Sequence, residues 1–466
     1  MTELWQQDAV ELAHLIRTGQ VSCEEVIAAH LRRIERVNPA LNAIVLPLHE
    51  EARVAAAQAD QALARGDILG PLHGVPVTIK VNTDQAGCPT DNGVEAFRDR
   101  VAAQDSPTVS NFRKAGAIPI GRTNTPAFSM RWFTENTLHG VTLNPWDHAR
   151  TPGGSSGGAA SSVAAGMAPI GQGNDIAGSV RYPAFCCALV GLRPSYGRAP
   201  TYNPSTGGAG RPISAQLMAV QGPLTRTVRD ARLAMEVMAA GDIRDPKWNA
   251  VPFDGEPLSR PIRVAVVENP AGRGLADAVE GVVKQAAAWL ENAGYIVEDT
   301  EPPELGNIAD LWTDLAIDDL IKALLPDIEE HGDEGIQRAV GYWCAGAPRR
   351  GPQVVLDALV ERERLLRAWE VFLDHHPLVL MPSSGEQAFP LGFDSQSYAD
   401  YQRIWHAQLP QLAIPVLGLP AINVPTGLHE GLPMGVQLVS RRYREDVCLA
   451  AAEIIEAHAQ IDTPVV

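Results

Sequence analysis

Apolar residues recur at helical spacing along the start of the chain. Leu12, Leu15 and Ile16 follow an Asp8/Glu11 pair of capping-box type and precede Gly19, so a helix is expected between them. Ser22 and Glu25 repeat the signature ahead of Val26, Ile27, Leu31 and Ile34, and the Asn38-Pro39 pair is expected to stop that helix. A third helix is expected from about Glu50 to Gly66. Together these predict a helical layer over about residues 1–68.

The pattern then changes. Short β-branched runs alternate with helical stretches: "VPVTIK" ending at Lys80, "AIPIGR" over Ala117–Arg122, and "IRVAVV" over Ile262–Val267. The last leads into a helix over about Ala276–Asn292, a stop at Gly294 and the strand "YIVED", which is a βαβ pattern. Val355–Leu373 reads as a helix, and "PLVLMP", "AINVP" and "MGVQLVS" read as strands. Alternation through most of the chain makes the expected fold class α/β with a mixed sheet. Residues 241–260, rich in Gly, Asp and Pro, read as a surface crossing, and no internal repeat is evident.

Composition narrows the function classes. With 45% hydrophobic and 20% charged residues among 466, the chain is globular rather than disordered. A formal net charge of −17 opposes phosphate binding, so no nucleic-acid partner is expected. No apolar run reaches the ~18 residues of a membrane span. Cys23, Cys88, Cys186, Cys187, Cys344 and Cys448 show neither CxxC nor zinc-type spacing, and the opening residues lack a basic segment followed by an apolar one. Reduced thiols, no metal site and a cytoplasmic location are expected.

Positive charge is carried almost entirely by arginine. The lysines are Lys80, Lys114, Lys247, Lys284 and Lys322. Lys80 ends an apolar strand, so its amine either reaches out to water or is buried, where desolvation would disfavour its charge and make it a base. The stretch "TPGGSSGGAASSVAAG" satisfies G-x-S-x-G, but "LNPWDHARTP" before it is no buried strand, so a nucleophile elbow does not fit. A phosphate loop fails for want of Gly-Lys-Ser/Thr. A linker should run on into more linker, whereas "AASSVAAGMAPIGQG" is small and apolar at helical spacing, so the glycines more reasonably let backbones approach. In Asp175-Ile176-Ala177-Gly178-Ser179, a serine follows small residues in a tight turn. That turn either presents N–H groups around an attacked carbonyl or starts a helix with a capping serine.

Taken together, "GPLHGVPVTIK", "TPGGSSGG", "GNDIAGSVRYPAFCCALVGLRPSYGRAP", "QGPLTRTVRDARLAMEVM", "GLPAINVPTG" and "GLPMGVQLVS" resemble the amidase signature hydrolases over nearly the whole chain. The resemblance implies an α/β fold with a large mixed central sheet covered on both faces by helices, in one domain over 1–466, with the N-terminal helical layer of about 1–68 packed on it and the signature core at about 70–240. It implies a Ser–cis-Ser–Lys triad in which Lys80 is the base, Ser155 the bridging serine and Ser179 the nucleophile. It implies an oxyanion hole from the N–H groups of Ile176, Ala177, Gly178 and Ser179, support from Gly154, Ser156, Asp175 and Arg181, and Ser129 near the acyl pocket. No cofactor is implied, and a homodimer is compatible. Two departures stand out: Ala177-Gly178 replaces a common Gly-Gly, and Asn174 replaces a common Thr. Cys186 and Cys187 read as core, and His73, His139 and His148 are not required.

The activity expected is hydrolysis of small amides, with some esters and carbamates. The aromatic stretch Phe128–Gly140 is either a pocket wall, favouring aryl or hydrophobic substrates, or plain core. Alternatives are a carbamate hydrolase on the same triad, the amidase subunit of an amidotransferase complex, and a degenerate binding protein, against which the intact Lys80, Ser155 and Ser179 weigh. Specificity is expected in loops within Thr201–Leu217 and Leu305–Gln411.

Overall fold

A computed structural model describes residues 3–206, 210–347, 349–459 and 461–465. Its thirteen strands are β1 (Ile44–Pro47), β2 (Pro76–Lys80), β3 (Ile118–Thr123), β4 (Glu135–Asn136), β5 (Gly140–Val141), β6 (Ile170–Asp175), β7 (Val190–Arg193), β8 (Val220–Thr225), β9 (Arg263–Val266), β10 (Ile296–Asp299), β11 (Leu378–Pro382), β12 (Ala421–His429) and β13 (Leu432–Ser440). Eleven of them form one sheet in the order β1-β3-β2-β6-β8-β7-β12-β13-β11-β9-β10, while β4 and β5 pair separately. β2 runs parallel to β3 and β6, and β9 runs parallel to β10 and β11. The remaining pairs of the large sheet are antiparallel, so the sheet is mixed, as expected.

The sheet is covered on both faces because its strands alternate. In β11, Leu378 and Leu380 join one buried cluster while Val379 and Met381 join another. β9 divides the same way, Val264 and Val266 against Ala265. The first cluster takes α1 (Ala9–Arg17), α2 (Cys23–Leu41), α3 (His49–Arg65) and α4 (Pro107–Lys114), together with the helices Val228–Met238, Asp277–Asn292 and Glu445–His458. The second takes α5 (Gly157–Ala164), α6 (Arg181–Cys186) and the helices Leu305–Ala316, Pro352–His375 and Leu409–Leu417.

The N-terminal helices form as their caps predict. Asp8 accepts from the Glu11 N–H, and Ser22 and Glu25 make a reciprocal capping box. The Asn38-Pro39 pair, however, does not end α2, which runs on to Leu41. The Asn38 side chain accepts from the N–H groups of Ala43 and Ile44 and donates to the Ile44 carbonyl, so the chain leaves the helix only at Asn42, in the left-handed region. Specificity loops are expected in parts of Leu305–Gln411, within which Val355–Leu373 is expected to be helical. Much of Leu305–Gln411 is helical, as Leu305–Ala316, a π turn at Ile317–Ile321, Lys322–His331, Glu334–Gly346, Pro352–His375 and Tyr398–Ala407. Residues 241–260 carry neither helix nor strand. Within Thr201–Leu217, residues 207–209 lie outside the described residues.

Candidate active site

Strand alternation aims the lysine. Val77 and Ile79 of β2 sit in the first cluster, so Lys80 projects from the opposite face, toward the layer that holds α5 and α6. The side chain is fully buried, and Nζ lies 2.7 Å from Ser155 Oγ, 3.1 Å from Ser156 Oγ and 3.0 Å from Asn174 Oδ1. Burial holds this amine well below the ordinary lysine range, against an opposing pull from Asp175. Of the two sequence alternatives, the amine is buried rather than reaching water.

Ser155 and Ser156 stand at the start of α5, behind a cis peptide bond between Gly154 and Ser155. The loop before them is wedged between two stretches of main chain. A Cβ at Gly154 would lie 2.5 Å from both the Arg131 carbonyl oxygen and the Phe133 nitrogen, so glycine is what lets the backbones approach. Thr134 Oγ1 donates to the Gly153 carbonyl at 2.8 Å, and Thr125 Oγ1 donates to the Ser155 carbonyl at 2.9 Å. The glycine-serine stretch is buried and fixed at both ends.

The third serine comes from the next parallel strand. β6 ends at Asp175, beside the end of β2, and the chain turns through Ile176–Ser179 into α6. Asp175 organises that turn. It accepts from the N–H of Gly178 at 2.9 Å, from Arg181 Nε and Nη2 at 3.0 Å each, and from Arg193 Nη1 at 3.2 Å. Burial alone would raise its pKa; Arg181, Arg193 and the Gly178 N–H outweigh burial and hold the carboxyl well below the usual range. Gly178 adopts φ +92°, which only glycine takes without strain, and Ala177 keeps negative φ, as an alanine there must. The expectation for Gly178 therefore changes. Its N–H is engaged by Asp175 and shapes the turn, whereas among the described residues the N–H groups of Ile176, Ala177 and Ser179 donate to no protein atom.

Two tryptophans hold the same turn by its carbonyls. Trp312 Nε1 donates to the Ile176 carbonyl at 2.9 Å, and Trp132 Nε1 donates to the Ala177 carbonyl at 2.7 Å. A peptide's C=O and the following N–H point in opposite directions, so holding the Ile176 carbonyl also fixes where the Ala177 N–H points. Both rings line a cavity with Ser179, Ser129, Met130, Leu320, Trp343 and Tyr401. Ser129 lies there, its hydroxyl 2.6 Å from Asn92 Oδ1 and 2.9 Å from Asn82 Nδ2. Asn82 in turn bonds Asn174, which accepts from Lys80, so the Asn174 departure puts an amide where it can hold the amine. Of Phe128–Gly140, Ser129–Trp132 form pocket wall, while Phe128 packs edge-on against Phe97 in a separate cluster.

Among the described residues no histidine lines this cavity. His73 bonds the Ala59 carbonyl, His139 lies 3.2 Å from Asp91, and His148 is exposed. Cys186 and Cys187 are fully buried, and burial pushes both thiols up, away from nucleophilic use. Among the described residues no group of three or more His, Cys, Asp or Glu is placed to hold a metal ion, and no helix is long and apolar enough to cross a membrane. The sequence reading missed Trp312, Trp343, Tyr401 and Trp405. The available signal was several aromatics spread over Leu305–Gln411, but helical spacing does not tell a core face from a pocket face.

The chain is similar to known proteins over most of its length. The amidase family model matches residues 25–449. An indoleacetamide hydrolase of Bradyrhizobium diazoefficiens (strain JCM 10833 / BCRC 13528 / IAM 13628 / NBRC 14792 / USDA 110) is 44% identical over 98% of this chain and 87% of its own length. A subunit of the glutamyl-tRNA(Gln) amidotransferase of Moorella thermoacetica (strain ATCC 39073 / JCM 9320) is 33% identical over 97% of both chains. The crystal structure of a bacterial aryl acylamidase of the amidase signature enzymes superposes with TM-score 0.84 at 26% identity, over 98% of this chain and 97% of that one.

Proposed function

The chain belongs to the amidase signature family and is an amidohydrolase, and from that premise we propose that it cleaves the C–N bond of a small arylalkyl amide through a Ser179 acyl-enzyme. The observation that carries this reading is the 2.7 Å approach of Lys80 Nζ to Ser155 Oγ in a place closed to water, at the head of the turn that bears Ser179.

A neutral amine has two hydrogens and one lone pair. Asn174 Oδ1 can only accept, so a neutral Lys80 spends one hydrogen there and a second on Ser156, and its lone pair is left to receive the Ser155 proton. Ser155 in turn takes the proton of Ser179, and Ser179 Oγ attacks the amide carbon. The N–H groups of Ile176, Ala177 and Ser179 receive the developing oxyanion, with Gly178 keeping the turn in shape. Collapse breaks the C–N bond, and Ser155 delivers the proton to the leaving nitrogen. Water, deprotonated along the same path, releases the acid and frees Ser179.

The aromatic lining of the cavity, Trp132, Trp312 and Trp343, supports an aryl-bearing acyl group, and the indoleacetamide hydrolase relative supports an arylacetamide. Esters and carbamates suit the same machinery. We take residues 1–466 as one domain, cytoplasmic in keeping with its six free thiols, with a homodimer compatible. The test is a hydrolysis screen across aliphatic amides, arylacetamides, anilides, aryl esters and carbamates, with mass spectrometry of the quenched enzyme. An acyl adduct on Ser179 is expected; turnover with the adduct on any other residue overturns the mechanism.

The amidotransferase relative favours a second reading, in which the chain releases ammonia for a partner. Turnover of an arylacetamide by the purified chain alone, at a rate unaffected by an acyl acceptor, argues against it.

A further inference from the structure

The tryptophans around Ser179 are not held alike. Trp132 and Trp312 are pinned by their indole N–H groups to the carbonyls of Ala177 and Ile176. Trp343 lines the same cavity, yet among the described residues its N–H has no acceptor. It is half-buried, on the helix Glu334–Gly346, where it packs against the margins of two apolar clusters and stands edge-on to Trp312 at 5.7 Å and to Trp405 at 6.0 Å.

What lies on its far side gives this difference a use. The cavity at Ser179 has a volume of about 30 Å³, room for a few waters and too little for an aromatic ring. A second cavity of about 500 Å³ is bounded by Tyr342, Tyr398 and Trp405 and by the ion pairs Arg273–Asp310 and Arg349–Asp314. Trp343 and Tyr401 line both. Tyr401 is buried, its ring tilted against those of Tyr342 and Trp405, whereas Trp343 is half-buried, so the less constrained of the two is Trp343.

Resting on the amidase reading above, we propose that the Trp343 side chain is a movable partition that sets acyl length, and that the substrates are amides whose acyl group is an aromatic bicycle on a chain, reaching past Ser179 into the outer chamber. With Trp343 swung aside, the joined space falls in the ordinary range of small-molecule sites, about 300–1,000 Å³. The catalytic turn is undisturbed by that movement, because the two rings that hold its carbonyls stay bonded. With Trp343 in place, small amides are confined against Ser179.

The test is steady-state kinetics of the purified full chain on acetamide, phenylacetamide, indole-3-acetamide and 4-(indol-3-yl)butanamide. Trp343→Ala is expected to raise the ratio of kcat/KM for the butanamide over that for acetamide by about tenfold or more, the range one or more extra methylenes carry in an apolar pocket. The gain should lie mainly in KM. Trp343→Phe, the milder change if the alanine variant folds poorly, should move the ratio the same way by less. A ratio unchanged in both variants, or all four amides falling together as a merely structural role would make them, overturns the inference while leaving the amidase reading in place. A wild-type chain that turns over none of the four overturns that reading, and the inference with it.

Discussion

Lys80 and Ser155 come from stretches of chain seventy-five positions apart, yet Nζ and Oγ meet at 2.7 Å with neither side chain open to solvent. The meeting is built by two separate devices. Alternation along β2 sends the lysine to the α5 face of the sheet, and a loop wedged between main-chain segments delivers the serine to it. An amine in that position is costly to charge, which is the property a base near neutral pH needs.

Lys80→Met should cut kcat by several orders of magnitude and leave the fold intact. The wild-type rate should rise with pH as the amine loses its proton, at a pH below the ordinary lysine range, because burial lowers its pKa. Stability carries the same sign. Where the folded chain has a neutral Lys80 and the unfolded chain a charged one, unfolding takes up a proton, so Lys80's share of stability increases as pH rises from the folded pKa toward the unfolded value of about 10.4. Chemical denaturation across pH, wild type minus Lys80→Met, should show that rise, and a flat difference would mean the amine is charged in the folded chain.

Ser179→Ala should abolish acyl-enzyme formation, read by intact-protein mass spectrometry after rapid quenching with an aryl ester. Ser155→Ala should slow acylation strongly without removing the adduct, because the nucleophile remains.

Trp312→Phe keeps most of the ring and loses the donor to the Ile176 carbonyl. We expect kcat to fall about tenfold to a hundredfold with KM within about threefold, since misaimed N–H groups weaken the transition state more than the ground state. Equal losses in kcat and KM for Trp312→Phe would make the indole a packing residue.

Asp175→Asn removes the charge that Arg181 and Arg193 share in a fully buried place. Breaking such a cluster costs about 3–5 kcal/mol, which urea unfolding would show, and activity should fall further because the Gly178 turn loses its carboxylate acceptor. Retained stability would mean that water reaches the two guanidinium groups.

Gly154→Ala should destabilise the chain by about 1–3 kcal/mol or more, because the new methyl would press on main chain that cannot turn aside. Gly281→Ala, where a Cβ meets nothing within 4 Å, is the control and should be neutral or better, as alanine favours a helix.

The helical caps at Asp8 and Ser22, the strands "VPVTIK" and "PLVLMP", and the α/β class were legible because each rests on local spacing: a period of two or of 3.6, a capping side chain, a glycine stop. The motifs around Lys80, Ser155 and Ser179 stood out in the sequence, but taken singly each left an ordinary structural alternative open, and the roles proposed for them rest on the combined resemblance to the amidase signature hydrolases. Three things could not be read that way. The end of α2 depends on what the Asn38 side chain bonds after it leaves the helix. Gly178 cannot be recognised as part of the turn's frame until Asp175 is seen to hold its N–H. The walls at Trp312, Trp343, Tyr401 and Trp405 come from helices whose apolar faces look alike whether they meet another helix or a void. Sequence thus determined which elements form and which side chains stand as candidates for the chemistry, because those follow from neighbours along the chain. Only the tertiary structure decided which N–H groups stay free and which rings border empty space, because those depend on groups far apart in sequence competing for the same volume.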